Sequence, residues 1–247
     1  MIGALCMSSA TRIELQPAWV LHRRAYRETS ALLELFTYEY GRIGAVARGV
    51  RGRGWNALVE PFVPLQASWS GRGELKSIVG LEQAGRSYRL TGVALACGFY
   101  MAELLMALTC REDPLPQSWE TYALALDGIQ SQSREPLLRR FEVALLDECG
   151  YGLLLSEDVN GAQINGSTSY CYGPQVGPVP GSGWAADGHT QSGVRVSGKT
   201  LLALNAGDID YLGRDPGRAE ARRLMRLVVA SHLDGRRLRS REIFRPR

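Results

Sequence analysis

The spacing of hydrophobic residues changes once along this chain, close to residue 90, and the change separates two kinds of structure. From Pro17 to about residue 82, short runs of alternating apolar and polar residues are rich in β-branched and aromatic side chains, a pattern typical of strands. From Thr91 to Thr109, the sequence TGVALACGFYMAELLMALT is apolar on nearly every face, as in a helix buried among others. The sequence therefore predicts an α+β protein, β-rich first and mainly helical afterwards.

Five short strands are predicted in the first part, at AWVLHRRAY, SALLELFTY, IGAVARGV, PFVPLQASW and ELKSIVGL. A glycine-arginine loop at 49–54 follows the third strand, and a Gly71-Arg72-Gly73 turn joins the last two as a hairpin. Five strands in so short a stretch favour a small barrel. Among small β folds, the five-stranded OB barrel is a common nucleic-acid binder, so analogy favours an OB barrel here.

The second part contains further amphipathic helices. SWETYALALDGIQ and EPLLRRFEVALLDECG follow a proline-marked break, and the second is expected to end at Gly150. Residues 156–193 are rich in Gly, Ser, Asn and Pro, which predicts an irregular insertion. Regular structure is expected to resume with a short strand, a helix capped by Ser197 and a last helix that starts at Asp215.

We therefore expect an N-terminal extension at residues 1–16, an OB domain at 17–82 and a helical domain at 83–247, with the irregular insertion at 156–193. The sequence has no run of eighteen apolar residues and does not begin with a basic, apolar secretory leader. These features predict a cytoplasmic protein that does not bind a membrane.

Charge is distributed unevenly. Residues 17–80 carry a net charge of +4, residues 81–213 carry −7 and residues 214–247 carry +7. Of the 29 basic residues only Lys76 and Lys199 are lysines. An arginine bias suits bidentate contact with phosphate, although a genome rich in G and C would produce the same bias.

The glycine-arginine loop is the first candidate nucleic-acid contact. Several guanidinium groups in a flexible loop can follow a phosphate backbone without reading base sequence, and a neighbouring indole ring can stack on a base. A solvated hairpin loop would have the same composition. Together with arginines of the first strand, the candidate residues are Arg23, Arg24, Arg27, Arg42, Arg48, Arg51, Arg53 and Trp55.

The last helix offers a second basic surface. Arg218, Arg222 and Arg226 are spaced i, i+4 and i+8, so they share one face while apolar residues turn toward the core. Like charges at this spacing repel each other by a few tenths of a kcal/mol per pair, which favours an anionic partner. A solvated face neutralised by nearby acids is the alternative.

The segment Gly193–Thr200, GVRVSGKT, matches the nucleotide-binding pattern G-x-x-x-x-G-K-[ST]. A phosphate-binding loop follows a buried parallel strand, whereas here the apolar strand VRV lies inside the motif and the preceding residues are polar. Only 47 residues follow Thr200. We interpret the match as a coincidence, with P-loop nucleotide binding as the alternative.

No catalytic or metal-binding constellation is apparent. The three histidines are far apart, and the five cysteines contain no C-x-x-C pair. We predict no metal, no cofactor and no enzymatic activity.

The stretch VLHRRAYRETSALLELFTYEYGRIGAVARGVR resembles the N-terminal domain of the RecO family of recombination mediators. The similarity continues through PFVPLQASWSGRGELKSI, LLRRFEVALLDECGYGLLL, SGKTLLALNAGDID and LRSREIF. This resemblance implies an OB domain followed by a helical domain, and a DNA-binding protein of recombinational repair. Such a protein binds single- and double-stranded DNA and anneals complementary strands.

The resemblance also implies protein partners: RecR, the single-stranded DNA-binding protein and, indirectly, the RecA recombinase, which the family loads onto DNA. It implies association with the nucleoid during repair. The helical domain of the family receives the acidic, Phe-ending tail of the single-stranded DNA-binding protein. The corresponding positions here are Arg139, Arg140, Phe141 and Leu145.

Many family members carry four zinc-binding cysteines in the region that matches residues 156–193, where this chain has only Cys171. Zinc is therefore not carried over, and a metal-free insertion is expected. An RNA-binding OB protein is a further alternative, because the same scaffold and basic loop serve RNA equally well.

Overall fold

The computed structural model describes residues 12–131, 134–181 and 193–240. These residues form two compact units. The first comprises the chain up to Arg89 together with Cys110–Pro116, and the second comprises Leu90–Thr109 and the chain from Gln117 onward. The segment Cys110–Pro116, here called the linker segment, lies between two helices in sequence but belongs to the first unit.

The first unit is a closed barrel in the order β1-β2-β3-β5-β4. Neighbouring strands are antiparallel except for the parallel pair β3 and β5. The barrel is OB-like, so the predicted five-stranded fold is confirmed. Its strands are β1 (Arg12–Tyr26), β2 (Ser30–Thr37), β3 (Gly41–Ala47), β4 (Leu65–Ser70) and β5 (Leu75–Gln83).

The strand β1 closes the barrel because it pairs with two neighbours. Its first half pairs with β4, where Arg12 and Ile13 lie opposite Ser70 and Trp69, and its second half pairs with β2. The register shifts in both pairings, so the strand bends between its two partners. The first described residue, Arg12, already belongs to this strand, inside the segment expected to be an extension, and Ile13 packs against the barrel core.

The loop between β3 and β4 is anchored, in contrast to the flexible loop that its composition predicts. Val50 and Val59 are buried in the barrel core, and Trp55 packs partly against it. The backbone N–H of Val50 also donates to the carbonyl of Thr29 in the β1–β2 turn, at 2.7 Å. Apolar residues placed between the glycines and arginines therefore hold this loop against one end of the barrel.

The linker segment contacts β2, β3 and β5. The N–H of Glu112 donates to the carbonyl of Arg42 at 2.9 Å, and the Glu112 carboxylate pairs with the buried Lys76 ammonium at 2.6 Å. Arg111 forms an ion pair with Glu34. The hydrogen bond that Arg111 donates to the Glu34 carboxylate raises the pKa of Arg111, so the guanidinium stays charged.

Two glycines of β3 make room for the linker segment. A Cβ atom at Gly41, which has a φ of +60°, would lie 1.9 Å from the carbonyl oxygen of Asp113. A Cβ atom at Gly44 would lie 2.7 Å from the guanidinium carbon of Arg111. The close approach of the Asp113 backbone therefore requires glycine at position 41, whereas a Cβ atom at position 44 would meet only the flexible end of the Arg111 side chain.

The second unit combines six helices and a three-stranded antiparallel sheet of order β7-β6-β8 among its described residues. Its elements are α1 (Gly92–Leu108), α2 (Pro116–Gly128), α3 (Arg134–Glu148), β6 (Ser169–Gly173), β7 (Gly177–Pro180), β8 (Val194–Ser197), α4 (Gly198–Ala206), α5 (Ile209–Leu212) and α6 (Gly217–Ser231). The helix α1 is buried along most of its length, as its apolar sequence predicts. No described helix has both the length and the apolar character needed to cross a membrane.

The segment 156–193 contains more regular structure than its composition indicates. β6 and β7 form a hairpin within it, and β8 follows as the third strand. Tyr170 and Tyr172 alternate along β6 and are both buried, and their hydroxyls accept hydrogen bonds from the N–H groups of Asn165 and Leu154. Two tyrosines thus provide the apolar packing that the Gly- and Pro-rich sequence otherwise lacks. Residues 182–192 lie outside the described part of the chain.

The motif Gly193–Thr200 forms β8 and the first turn of α4. A Cβ atom at Gly193 would lie 2.8 Å from the sulfur of Cys171, and one at Gly198 would lie 2.0 Å from the carbonyl oxygen of Asn165. Close packing therefore explains both glycines. The strand is antiparallel to β6, whereas a phosphate-binding loop leaves a parallel strand.

The N-terminus of α4 is occupied by a carboxylate of the protein itself. Oε2 of Glu220 accepts hydrogen bonds from the N–H of Ser197 (3.0 Å), its hydroxyl (2.7 Å) and the hydroxyl of Thr200 (2.6 Å). Ser197 also caps the helix, as predicted, by accepting from the N–H of Thr200. An anion is thus already bound at this helix N-terminus, which supports the interpretation of the motif as a coincidence.

The contribution of Glu220 to stability depends on pH. Burial opposes ionisation of this carboxyl, but the hydrogen bonds from Ser197 and Thr200 outweigh burial and lower the pKa of Glu220. A lowered folded-state pKa stabilises the fold above the unfolded-state pKa of about 4.3, and this stabilisation is lost as pH falls through the folded-state value.

We expect Glu220→Gln to lower the free energy of unfolding by about 1 kcal/mol at pH 7, because charge-assisted hydrogen bonds are lost. The difference from wild type should shrink as pH is lowered below about 4.5, and urea unfolding at pH 7 and pH 4 measures it. Glu120→Gln, at an exposed site on α2, is the matched control and should change stability little at either pH. A Glu220→Gln effect that does not vary with pH would contradict the role of the ionised carboxylate.

We also expect Gly41→Ala to destabilise the protein far more than Gly54→Ala. Both glycines have positive φ, but a Cβ atom at Gly54 would meet nothing within 4 Å. Backbone strain alone should cost about 1 kcal/mol at Gly54, whereas the added collision at Gly41 should bring the loss to about 3 kcal/mol or more. Urea denaturation midpoints compare the two variants, and equal losses would show that the linker segment does not depend on Gly41.

Candidate nucleic-acid interface

An open groove of about 560 Å³ lies at one end of the barrel. The β1–β2 turn forms one wall, and the end of β3 with the following loop forms the other. The lining residues are Tyr26, Arg27, Glu28, Thr29, Ser30, Val46, Arg48 and Gly49. The fold therefore brings the predicted contacts Arg27 and Arg48 together, although twenty residues separate them in sequence.

The other loop arginines extend this basic surface. Arg51 and Arg53 are exposed beyond Gly49, and Arg24 is exposed on β1. The guanidinium of Arg53 lies 4.9 Å from the centre of the Trp55 ring, and Trp55 also packs against the barrel core. Base stacking on Trp55 therefore remains a prediction that would require Arg53 to move from the ring.

Two predicted contacts, Arg23 and Arg42, form ion pairs within the barrel. Arg23 donates to the side-chain oxygen of Asn56 at 2.8 Å and pairs with Glu60, which ties β1 to the following loop. The guanidinium of Arg42 lies 3.2 Å from the Glu34 carboxylate, and its side chain is only 15% exposed. Because their charges have partners within the fold, these two arginines are less available to phosphate than Arg27 and Arg48.

Sequence reasoning missed Tyr26 as a candidate contact. Tyr26 is 37% exposed and lines the groove, and the Arg27 guanidinium lies over its ring, 5.2 Å from the ring centre. The sequence pattern could have indicated Tyr26, because His22, Arg24 and Tyr26 alternate along β1. The structure shows all three exposed. Such alternation indicates the outer face of a strand.

The second basic surface lies on α6, where the predicted face of Arg218, Arg222 and Arg226 is exposed. Arg218 pairs with Asp215 at 2.7 Å, and Arg222 pairs with Glu135. Hydrogen bonding from Arg218 lowers the pKa of the Asp215 carboxyl. Arg226 differs, since no carboxylate in the described ranges comes within 4.0 Å of it. The stripe thus forms as predicted but is partly neutralised, and its contact with DNA stays a prediction.

The four residues predicted to receive a partner's acidic tail are placed unequally on α3. Arg140 is exposed, whereas Phe141 and Leu145 are fully buried. Arg139 is 7% exposed and donates to the Glu142 carboxylate at 3.0 Å, which also accepts from the Tyr100 hydroxyl at 2.6 Å. Arg140 is therefore the member of this set that a docking peptide can reach without rearrangement of the core.

Within the described ranges, no group of three or more His, Cys, Asp or Glu side chains is arranged to hold a metal ion.

Burial raises the pKa of the Cys97 thiol to about 11, which keeps this cysteine protonated and unreactive at neutral pH. The groove presents the cations of Arg27 and Arg48, the ring of Tyr26 and the carboxylate of Glu28 at an open surface.

Comparison with known proteins also divides the chain into two parts, with the linker segment falling in the second. The family model described as recombination protein O N terminal matches residues 12–85, and the model described as recombination protein O C terminal matches residues 89–242.

Several proteins named DNA repair protein RecO are similar to this chain over nearly their whole length. The protein of Halorhodospira halophila is 59% identical over 93% of this chain and 96% of its own. The protein of Methylococcus capsulatus is 48% identical over 95% of this chain and 94% of its own. The expectation drawn from the N-terminal motif is confirmed, and this chain belongs to the RecO family.

Proposed function

We propose that this chain acts in DNA repair and recombination as a mediator, which holds DNA and protein partners without making or breaking bonds. Membership of the RecO family supports the general role in repair and recombination. The observation that carries the binding mode is the groove at the end of the barrel, where Arg27 and Arg48 converge and Arg51 and Arg53 extend the positive surface.

The barrel surface would attach DNA mainly through its phosphates. Guanidinium groups on two loops suit a backbone that they follow without reading sequence, and their binding energy comes largely from released counterions. Such binding serves both single and double strands. It also reduces the repulsion between complementary strands, which is the physical requirement for annealing them.

The protein partners are proposed from family membership. We propose contact with RecR and with the single-stranded DNA-binding protein, and through them the loading of RecA, in the cytoplasm and at the nucleoid during repair. On the second unit, Arg140 is the exposed cation on α3 that would meet the acidic, Phe-ending tail. Phe141 and Leu145 are fully buried, so they would hold α3 in position from the core side.

We expect Arg48→Ala to weaken DNA binding for all sequences and to reduce the salt dependence. Each phosphate contact contributes about −0.7 to the slope of log affinity against log salt for single strands, so the slope should become less steep by about that amount. Fluorescence anisotropy with labelled oligonucleotides between 50 and 200 mM salt, a range in which such slopes are steep, measures both quantities. Arg12→Ala removes the same charge from an exposed arginine at the start of β1 and should leave both unchanged. A flat salt response of the wild-type protein would refute the proposal.

The same titration separates DNA from RNA as the nucleic-acid partner. OB barrels bind both, and the 2′-hydroxyl distinguishes them at a given site. Oligonucleotides of matched length and sequence are therefore compared in both chemistries. Markedly tighter binding of RNA would favour an RNA-binding protein over a DNA mediator.

We expect Arg140→Ala to weaken binding of a peptide that carries several acidic residues and ends in Phe. A single exposed charge contact contributes up to about 1 kcal/mol, or about fivefold in affinity. Arg134→Ala removes an equal charge from the same helix and is the matched control. Equal losses in both variants would point to non-specific attraction, and no loss at Arg140 would remove this residue from the tail-binding surface.

A further inference from the structure

The ring of Tyr26 is an exposed aromatic at the wall of a cationic groove. It ends β1, where it pairs with Ser30 across the β1–β2 turn. A single exposed aromatic on a protein surface needs no functional explanation. Tyr26 differs because the open groove and the guanidinium groups of Arg27 and Arg48 surround it.

The backbone beside the ring is strained. Arg27 has a φ of +53°, a left-handed conformation that costs a residue with a side chain free energy and favours glycine. Strain of this kind persists where the surrounding structure holds it, and it occurs often at ligand-binding sites. In this conformation the Arg27 guanidinium lies 5.2 Å from the centre of the Tyr26 ring. The guanidinium therefore lies over one face of the ring, as that of Arg53 does on Trp55, and a base that stacks on this face would displace it.

The opposite wall is fixed relative to the ring. Arg48 and Gly49 form this wall, and the next residue, Val50, is buried in the barrel core. The hydrogen bond from the N–H of Val50 to the carbonyl of Thr29 joins this wall directly to the β1–β2 turn. The groove thus exists before any ligand binds, which lowers the entropic cost of binding.

The lining residues restrict the ligand to one with three chemical features. Tyr26 fits a planar ring, Arg27 and Arg48 fit anionic groups, and the carboxylate of Glu28 fits a hydrogen-bond donor and repels a bare anion. A nucleotide has all three: a base, phosphates and, in most bases, an exocyclic amino group. In a duplex the bases are stacked on each other and cannot reach a surface ring, so the ligand must be single-stranded.

We propose that Tyr26, flanked by Arg27 and Arg48, is a stacking site for a base of single-stranded DNA. This inference rests on the proposed DNA-binding function and assigns to one residue the interaction that distinguishes single strands from duplex. The arginines attach the phosphates of either form of DNA, whereas the ring adds affinity only when a base is free to lie on it.

The test compares a labelled single-stranded oligonucleotide with an abasic oligonucleotide of equal length and equal phosphate charge. Tyr26→Ala should lower the affinity for the base-containing strand about tenfold, within the range of one base-aromatic stack. It should leave the affinity for the abasic strand and the salt slope unchanged. Tyr26→Phe, which keeps the ring, should retain wild-type affinity. Arg48→Ala should weaken binding of both strands, because both carry phosphates.

Tyr38→Ala is the matched control, since Tyr38 is 39% exposed at the opposite end of β2 and should not affect either strand. Thermal unfolding establishes that each variant folds. If Tyr26→Ala binds the base-containing strand as wild type does, or loses affinity for both strands equally, the stacking site is refuted while the DNA-binding function stands. If the wild-type protein ignores both strands at low salt, the proposed function fails together with it.

Discussion

The barrel depends on one strand, β1, being shared by two neighbours. Its fifteen residues pair first with β4 and then with β2, and register shifts let it turn from one to the other. Without that bend the sheet would stay open, with exposed strand edges. The antiparallel pairing of β2 with both β1 and β3 brings the end of β1, the start of β2 and the end of β3 to one rim. The basic groove is formed at that rim.

Arginines in this protein divide into those that hold the fold and those that remain available. Arg23, Arg42 and Arg111 each pair with a carboxylate of the first unit. Two of these pairs join segments that are distant in sequence: Arg23 with Glu60, and Arg111 of the linker segment with Glu34 of β2. Exposed ion pairs contribute little to stability one at a time, but each removes a guanidinium from the positive surface. The positive surface of the first unit is therefore smaller than its arginine content suggests, and Arg27 and Arg48 are the arginines that line the groove.

The second unit shows how a sequence motif can be reproduced for packing reasons. Both glycines of Gly193–Thr200 allow close approach to neighbouring residues, and the threonine hydroxyl binds Glu220. A helix N-terminus attracts an anion whatever its source. Here a carboxylate from α6 satisfies it, so that the strand, the cap and α6 stabilise one another. The pattern of residue types resembles a nucleotide site because both arrangements satisfy the same helix terminus.

Local spacing in the sequence determined the elements of this protein. The two-residue period of the strands, the apolar run of α1 and the cap at Ser197 are properties of neighbouring residues, and the family motif lies in the same segments. Tertiary structure alone decided which charges are free. Glu34 and Arg111 are 77 residues apart, and Glu135 and Arg222 are 87 apart, so no local pattern reveals that they pair. The start of β1 at Arg12, the anchored loop, the burial of Phe141 and Leu145, and the exposure of Tyr26 beside Arg48 likewise depend on long-range contacts. Secondary structure follows from interactions within a few residues, whereas the availability of a side chain depends on what the folded chain places beside it.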